Sequence, residues 1–150
     1  MNVIDSFRLD GKVAVVTGGA GIYGKQITEA VAEAGAKTII ASRNLQTLEA
    51  QAREFCDAGL DVTALQYDQS EGASIEALAK QVIDTAGQVD VLVNNSVARF
   101  GKGGGWDMIP TEFEKSMKVN AVGVFHMTHI FGEQMAERGG GSIINIGSIQ

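Results

Sequence analysis

The chain has a single cysteine, Cys56, in 150 residues, so no disulfide can form within it. Its place in an apolar helical stripe predicts a buried structural thiol. Basic charge is also short: 12 Lys and Arg stand against 18 Asp and Glu, a formal net charge of −6, and no cluster forms a stripe that could follow a phosphate backbone. No nucleic-acid partner is expected. No apolar run approaches the length that spans a bilayer, and the opening Met-Asn-Val-Ile-Asp-Ser-Phe-Arg lacks the apolar stretch of a secretory signal. These absences predict a soluble, cytoplasmic protein with no membrane partner. The only histidines, His126 and His129, are three apart without Cys or carboxylates at ligand spacing, so no metal site is expected. The remaining composition, 45% apolar and 20% charged, suits one globular domain with an adequate core.

Glycine, by contrast, is abundant at 19 residues. Lys12-Val13-Ala14-Val15-Val16-Thr17-Gly18-Gly19-Ala20-Gly21-Ile22-Tyr23-Gly24 is an apolar strand running into a glycine turn and then an amphipathic helix. Glycines at 18, 21 and 24 permit a tight turn, close approach of backbone N–H groups to a pyrophosphate, and close packing of the helix on the strand. The helix N-terminus then faces the anion. A glycine repeat alone also fits an ordinary strand-to-helix turn. The strand before it, the helix after it and a second strand about twenty residues on favour dinucleotide binding. Gly18, Ala20, Gly21, Ile22, Tyr23 and Gly24 are the candidate phosphate cradle.

Strand and helix signals alternate from there. Strands are expected at 13–17, 37–41, 62–66, 89–93 and 142–146, the fourth a continuous apolar run that suits burial on both faces. The first helix, 23–34, puts Ile27, Val31 and Ala34 on one face; the second is capped by Asn44 and carries Leu45, Leu48, Ala52 and Phe55. Ile75, Leu78, Ala79 and Val82 mark the third. Thr111 with Glu114 makes a capping box for one long fourth helix containing Phe113, Met117, Val124 and Phe131. Strands joined by single helices imply right-handed crossovers, hence an α/β fold: a doubly wound, Rossmann-type parallel sheet in three layers, one domain over 1–150, stopping after the fifth strand.

Further residues at the expected carboxyl ends of these strands make the chain resemble the short-chain dehydrogenase/reductase family over essentially its whole length. Asn94-Asn95-Ser96-Val97 is similar to the family's Asn-Asn-Ala-Gly, with Ser and Val in place of Ala and Gly. The resemblance implies that Asn94 ties the central strand and that the backbone of Asn94, Asn95 and Ser96 lines the cofactor. Asp68, followed by Gln69, resembles the Asp that borders the adenine pocket. Val119-Asn120 matches the catalytic Asn, and Ser148 in Asn145-Ile146-Gly147-Ser148 aligns with the catalytic Ser. Simpler roles exist for each: a turn cap at Asp68, backbone satisfaction at Asn94 and Asn95, a turn hydroxyl at Ser148. Asn120 is a poor mid-helix residue on propensity alone, which favours a functional role.

The glycine loop departs from the single-domain branch of the family, which prefers Thr-Gly-x-x-x-Gly-x-Gly; Ile22 stands at the sixth position. Its spacing is that of the extended, epimerase-like branch, yet the later motifs favour the single-domain one. Cofactor choice rests on the end of the second strand, Ala41-Ser42-Arg43-Asn44, where NAD-specific sites commonly place a carboxylate. Here none is available. Arg43 and Ser42 could instead hold a 2′-phosphate, which predicts NADP, with NAD as the alternative, and Asn44 beside them is a further cofactor-binding candidate.

In the family, a Tyr exchanges the proton while a Lys four residues on lowers the phenol's pKa, since a phenol titrating near ~10 exchanges protons poorly at neutral pH. Tyr23 is followed at that distance by Ile27 and Tyr67 by Glu71, so 1–150 contains no Tyr-x-x-x-Lys. The resemblance therefore implies the cofactor half of an oxidoreductase acting on a small alcohol or carbonyl compound, with sugar-acid and polyol dehydrogenases most similar, and a homo-oligomer. A catalytically inert nucleotide-binding module and an epimerase or dehydratase fragment are the alternatives. An isolated 1–150 chain is expected to expose the edge and one face of its fifth strand and to seek a partner. Trp106, in the glycine-rich loop after the fourth strand, suits either a substrate border or an anchor for that loop.

Overall fold

The computed structural model describes residues 2–101 and 105–147. Five strands, β1 (Val13–Thr17), β2 (Lys37–Ser42), β3 (Val62–Gln66), β4 (Val91–Asn94) and β5 (Ser142–Asn145), form one parallel sheet in the order β3-β2-β1-β4-β5. The chain starts in the middle, winds outward to β3, then crosses to the other side. The switch lies between β1 and β4, where open sheets of this kind place their ligand cleft.

Helices α1 (Ile22–Glu33), α2 (Leu45–Asp57), α3 (Gly72–Ala86), α4 (Pro110–Met117) and α5 (Val124–Glu137) supply the outer layers. The strands' period of two divides the core. Val15, Ile39 and Leu92 point to α3 and α5 and pack with Leu78, Val82, Met127 and Phe131; Val16, Ile40 and Val93 point to α1 and α2 and pack with Ala32, Leu48 and Phe55. Each fully buried aliphatic side chain contributes about 1.5–3 kcal/mol. The three-layer fold is as expected, and the stripe Ile75, Leu78, Ala79 and Val82 is buried as its spacing predicts.

Four local expectations need correction. The buried row of α1 is Gly24, Thr28 and Ala32, with Ile27 and Val31 flanking it, because only small residues fit where the helix presses on the glycine turn. Cys56 is exposed; it follows the buried Phe55 and so turns off the inner face, its Sγ reaching only the Val62 carbonyl at 3.3 Å. No capping box opens α4. Pro110 holds the first helical position, Ile109 before it is extended as residues preceding proline must be, and Thr111 lies inside the helix. Finally, the long fourth helix is two, joined by a π turn at Lys118–Gly123 that carries Asn120. Its apolar spacing is close to continuous, so nothing in the pattern marks the break. Met127, Phe131 and Met135 are its buried row, while Phe113 and Met117 are exposed.

Candidate functional site: a cleft at the carboxyl ends of the strands

β1 ends at Thr17 and the chain turns at Gly18, whose φ of +65° is left-handed backbone that favours glycine. Gly18 N–H donates to the Ala41 carbonyl at 2.7 Å, fixing the turn to the end of β2, and Gly21 N–H donates back to the Gly18 carbonyl at 2.9 Å. Helix α1 begins there with Gly21 as its N-cap, no side chain capping it and no acidic residue in its first turn. Its leading N–H groups are left for an anion. The approach is so close that a Cβ on Gly24 would lie 1.9 Å from the Gly18 oxygen. Gly19 plays an equivalent part that spacing alone does not reveal: a Cβ there would meet Ile40 Cγ2 at 2.5 Å.

This turn floors a cleft of ≈ 1110 Å³. Gly18, Ala20, Gly21, Ile22, Tyr23 and Gly24 line it, as do Ser42, Arg43, Asn44, Asp68, Gln69, Asn95 and Ser96. Asn44 also caps α2, its Oδ1 accepting from Thr47 N–H at 3.1 Å. The Gln66 side chain donates to the Arg43 carbonyl at 2.8 Å and so steadies the turn that presents Arg43.

Asp68 closes that side. Partial burial pushes its carboxyl up, but the N–H and hydroxyl of Ser70, at 2.8 and 2.7 Å, and the charges of Arg43 and Lys118 outweigh this and hold it below the usual carboxylate range. It is a fixed negative charge at neutral pH. Tyr67 beside it is 2% exposed, and burial pushes its phenol up to about 12. That excludes it as a proton exchanger near neutrality.

Asn94 is not on the cleft wall. Its side chain, 3% exposed, turns the other way, donating to Asn145 Oδ1 at 2.8 Å and Thr128 Oγ1 at 3.2 Å, which ties β4 to β5 and α5. Asn95 instead reaches across to β1, its Nδ2 donating to the Thr17 carbonyl at 3.1 Å. Thr17 is a second residue that sequence reasoning passed over: its Oγ1 accepts from the N–H groups of both Asn95 and Ser96 at 2.9 Å. A hydroxyl at the end of a buried apolar strand was the available signal.

The side chain of Asn120 does not face the cleft either. It clamps the backbone of Ala98 from both sides, accepting from its N–H at 2.9 Å and donating to its carbonyl at 2.7 Å. The π turn thus holds the loop after β4 over the cleft, and Val119 joins the lining. Ser148 lies outside the described residues. Trp106 is fully exposed on a short 3-10 turn, so it does not anchor its loop. His126 comes within 4.0 Å of Glu76, while His129 is exposed beside the Phe125 ring. Among the described residues no helix is long and apolar enough to cross a membrane.

The family model for short chain dehydrogenase matches residues 12–150. The chain belongs to the short chain dehydrogenase family. A galactitol 2-dehydrogenase of Rhizobium johnstonii is 36% identical to it over 151 residues, covering 99% of this chain and 58% of its own length. A solved 7α-hydroxysteroid dehydrogenase, complexed with NADH and 7-oxo glycochenodeoxycholic acid, superposes with a TM-score of 0.92 at 32% identity, over 99% of this chain and 58% of that one. A gluconate 5-dehydrogenase from Burkholderia cenocepacia, in complex with NADP and tartrate, gives a TM-score of 0.89 at 33% identity, over 98% and 57%. This short chain dehydrogenase sequence therefore spans a little over half the length of the relatives it matches.

Proposed function

We propose that this chain binds a nicotinamide dinucleotide, NADP in preference to NAD, as the cofactor half of an oxidoreductase acting on a small alcohol or carbonyl compound. The observation that carries the reading is the uncapped N-terminus of α1 opening into a cleft whose β2 corner offers Ser42, Arg43 and Asn44 and no carboxylate. The pyrophosphate would lie on the turn from Gly18 to Gly24, the adenosine on the side of Arg43 and Asp68, and the other half on the side of Asn95 and Ser96. When bound, the nicotinamide supplies or accepts the hydride. Ser148 would hydrogen-bond the substrate oxygen, and Asn120 would act through the loop it clamps. The polyol and steroid dehydrogenases among the relatives support a hydroxyl-bearing substrate. Self-association belongs to the same reading, since Phe113, Met117, Val122 and Phe125 leave an apolar surface on α4, the π turn and α5.

Fluorescence titration with NADPH and NADH tests the cofactor assignment. Arg43→Ala weakens NADPH about tenfold, the scale of one charge-assisted hydrogen bond at an exposed site, and barely changes NADH. Equal losses for both overturn the preference for NADP. Residues 1–150 contain no Tyr-x-x-x-Lys, so the reading that they act as a nucleotide-binding module without a proton-exchanging pair applies to this stretch by itself. It is tested by assaying this chain for NADP-dependent oxidation of galactitol: binding without turnover is expected of these residues by themselves, and turnover would require a proton exchanger other than a Tyr-Lys pair.

A further inference from the structure

Tyr67 is the buried polar group that the cofactor reading leaves without a task. It sits just beyond β3, on the side of the cleft assigned to adenosine; its hydroxyl meets Gln69 Oε1 on that same side at 2.6 Å and reaches the far wall at Ser96 Oγ, on the loop after β4, at 3.2 Å. Gln69 is itself 5% exposed, and its Nε2 donates to the Val119 carbonyl in the π turn at 2.9 Å.

The orientation of the Gln69 amide follows from its partners. A carbonyl only accepts, so the Gln69 amide must present Nε2 to Val119 and Oε1 to Tyr67. The phenol hydroxyl donates toward Gln69 Oε1 at 2.6 Å, with Ser96 Oγ as a second, longer partner at 3.2 Å. The result is a connected series, Ser96, Tyr67, Gln69 and Val119, that links three segments lining the cleft and crosses from one half to the other. Ser96 is also pinned to β1 through its N–H on Thr17. This sequence has Ser where the family pattern has Ala, and that Ser supplies the hydroxyl the phenol meets.

We propose that Tyr67 is a positioning residue: its hydroxyl fixes the spacing between the adenosine wall and the loop after β4, so that one dinucleotide can engage both at once. This rests on the dinucleotide reading above. An adenosine fragment needs only one wall and is indifferent to the tie; the whole dinucleotide needs both.

The test compares NADPH with 2′,5′-ADP by calorimetric titration on the full chain. Tyr67→Phe keeps the ring in the core and removes only the hydroxyl. Its expected effect is an about tenfold rise in Kd for NADPH, the scale of one buried hydrogen bond, with the Kd for 2′,5′-ADP unchanged within about twofold. Ser96→Ala, a half-buried change that leaves the core intact, gives the same pattern should the Tyr67 variant fail to fold. The double variant is no weaker than the worse single one, because both remove the same link. A merely structural hydroxyl would lower the melting temperature and shift both ligands alike, which overturns the proposal. So would an unchanged NADPH affinity, or losses that add in the double variant. A wild-type chain that takes up neither probe overturns the dinucleotide reading itself, a result distinct from these, and the positioning role with it.

Discussion

At one edge of the sheet β3 lies under α2 and α3, with Val62 buried and Thr63, Ala64 and Leu65 half-buried. At the other edge β5 pairs with β4, has α5 on one face, and leaves Ile144 47% exposed. Within residues 1–150 the two halves of the cleft are held by different physics. The Arg43 and Asp68 side stands on consecutive strand–helix units whose cores are closed, so apolar burial places it. The loop after β4 is placed mainly by polar ties: Asn120 on Ala98, Thr17 on Asn95 and Ser96, and the series through Tyr67. Burial is strong and non-directional; hydrogen bonds are individually weaker but fix a distance.

The strongest way to break this comparison is to spoil the closed half at its tightest point. Gly24→Val puts two methyl groups beyond a Cβ position already inside the Gly18 carbonyl. Overpacking of this kind costs about 3 kcal/mol or more when backbone has to move. Thermal melting should show that loss and titration should show no NADPH binding. A variant that binds normally would mean that α1 does not rest on the turn.

A middle-sized effect comes from the opposite, amino ends of the strands. Asp90 accepts from Val13 N–H at 2.9 Å, Lys12 Nζ at 3.2 Å and Gln88 Nε2 at 2.7 Å. Burial pushes its carboxyl up, but these partners outweigh it and hold it below the ordinary range. A carboxyl depressed in the folded state stabilises fully above its unfolded value near ~3.9, and loses that contribution as the pH falls through the folded value. Asp90→Asn should therefore cost about 1–2 kcal/mol at neutral pH, and the gap to wild type should close on acidification below pH ~4. NADPH affinity at pH 7 should be untouched, since the cleft is at the other end. A gap that persists in acid would assign the loss to the hydrogen-bond geometry instead of the charge.

These effects also show which parts of the molecule the sequence announces. Gly18 and Gly24 are legible because their task is backbone space, which no other residue supplies, and the core stripes are legible because burial follows period. Asn120 is legible as an oddity, but its partner is a backbone group 22 positions away, and the π turn around it leaves no trace in the apolar spacing. Tyr67 is the instructive case. Its lack of a Lys four residues on removes it from proton exchange, and the pattern has nothing further to say; only the fold brings Ser96 and Gln69 to its hydroxyl. Asn94 keeps the strand-tying task that its motif implies: its side chain joins β4 to β5 and α5, and strand alternation turns it away from the cleft that its neighbours line.

The smallest effect on stability tests the open half. Ile144 already stands in solvent, so Ile144→Lys should change the free energy of unfolding by less than about 0.5 kcal/mol. Its effect on association should be larger. A strand edge with exposed apolar side chains is a template for further pairing, and a lysine there opposes it through charge and desolvation. Light scattering at rising concentration should find the wild-type chain associating and the lysine variant associating less, with equal melting temperatures when dilute. A wild-type chain that stays monomeric would show that polar Ser142 and Asn145 already blunt this edge, and would bring the two sides of the sheet closer in character than their burial suggests.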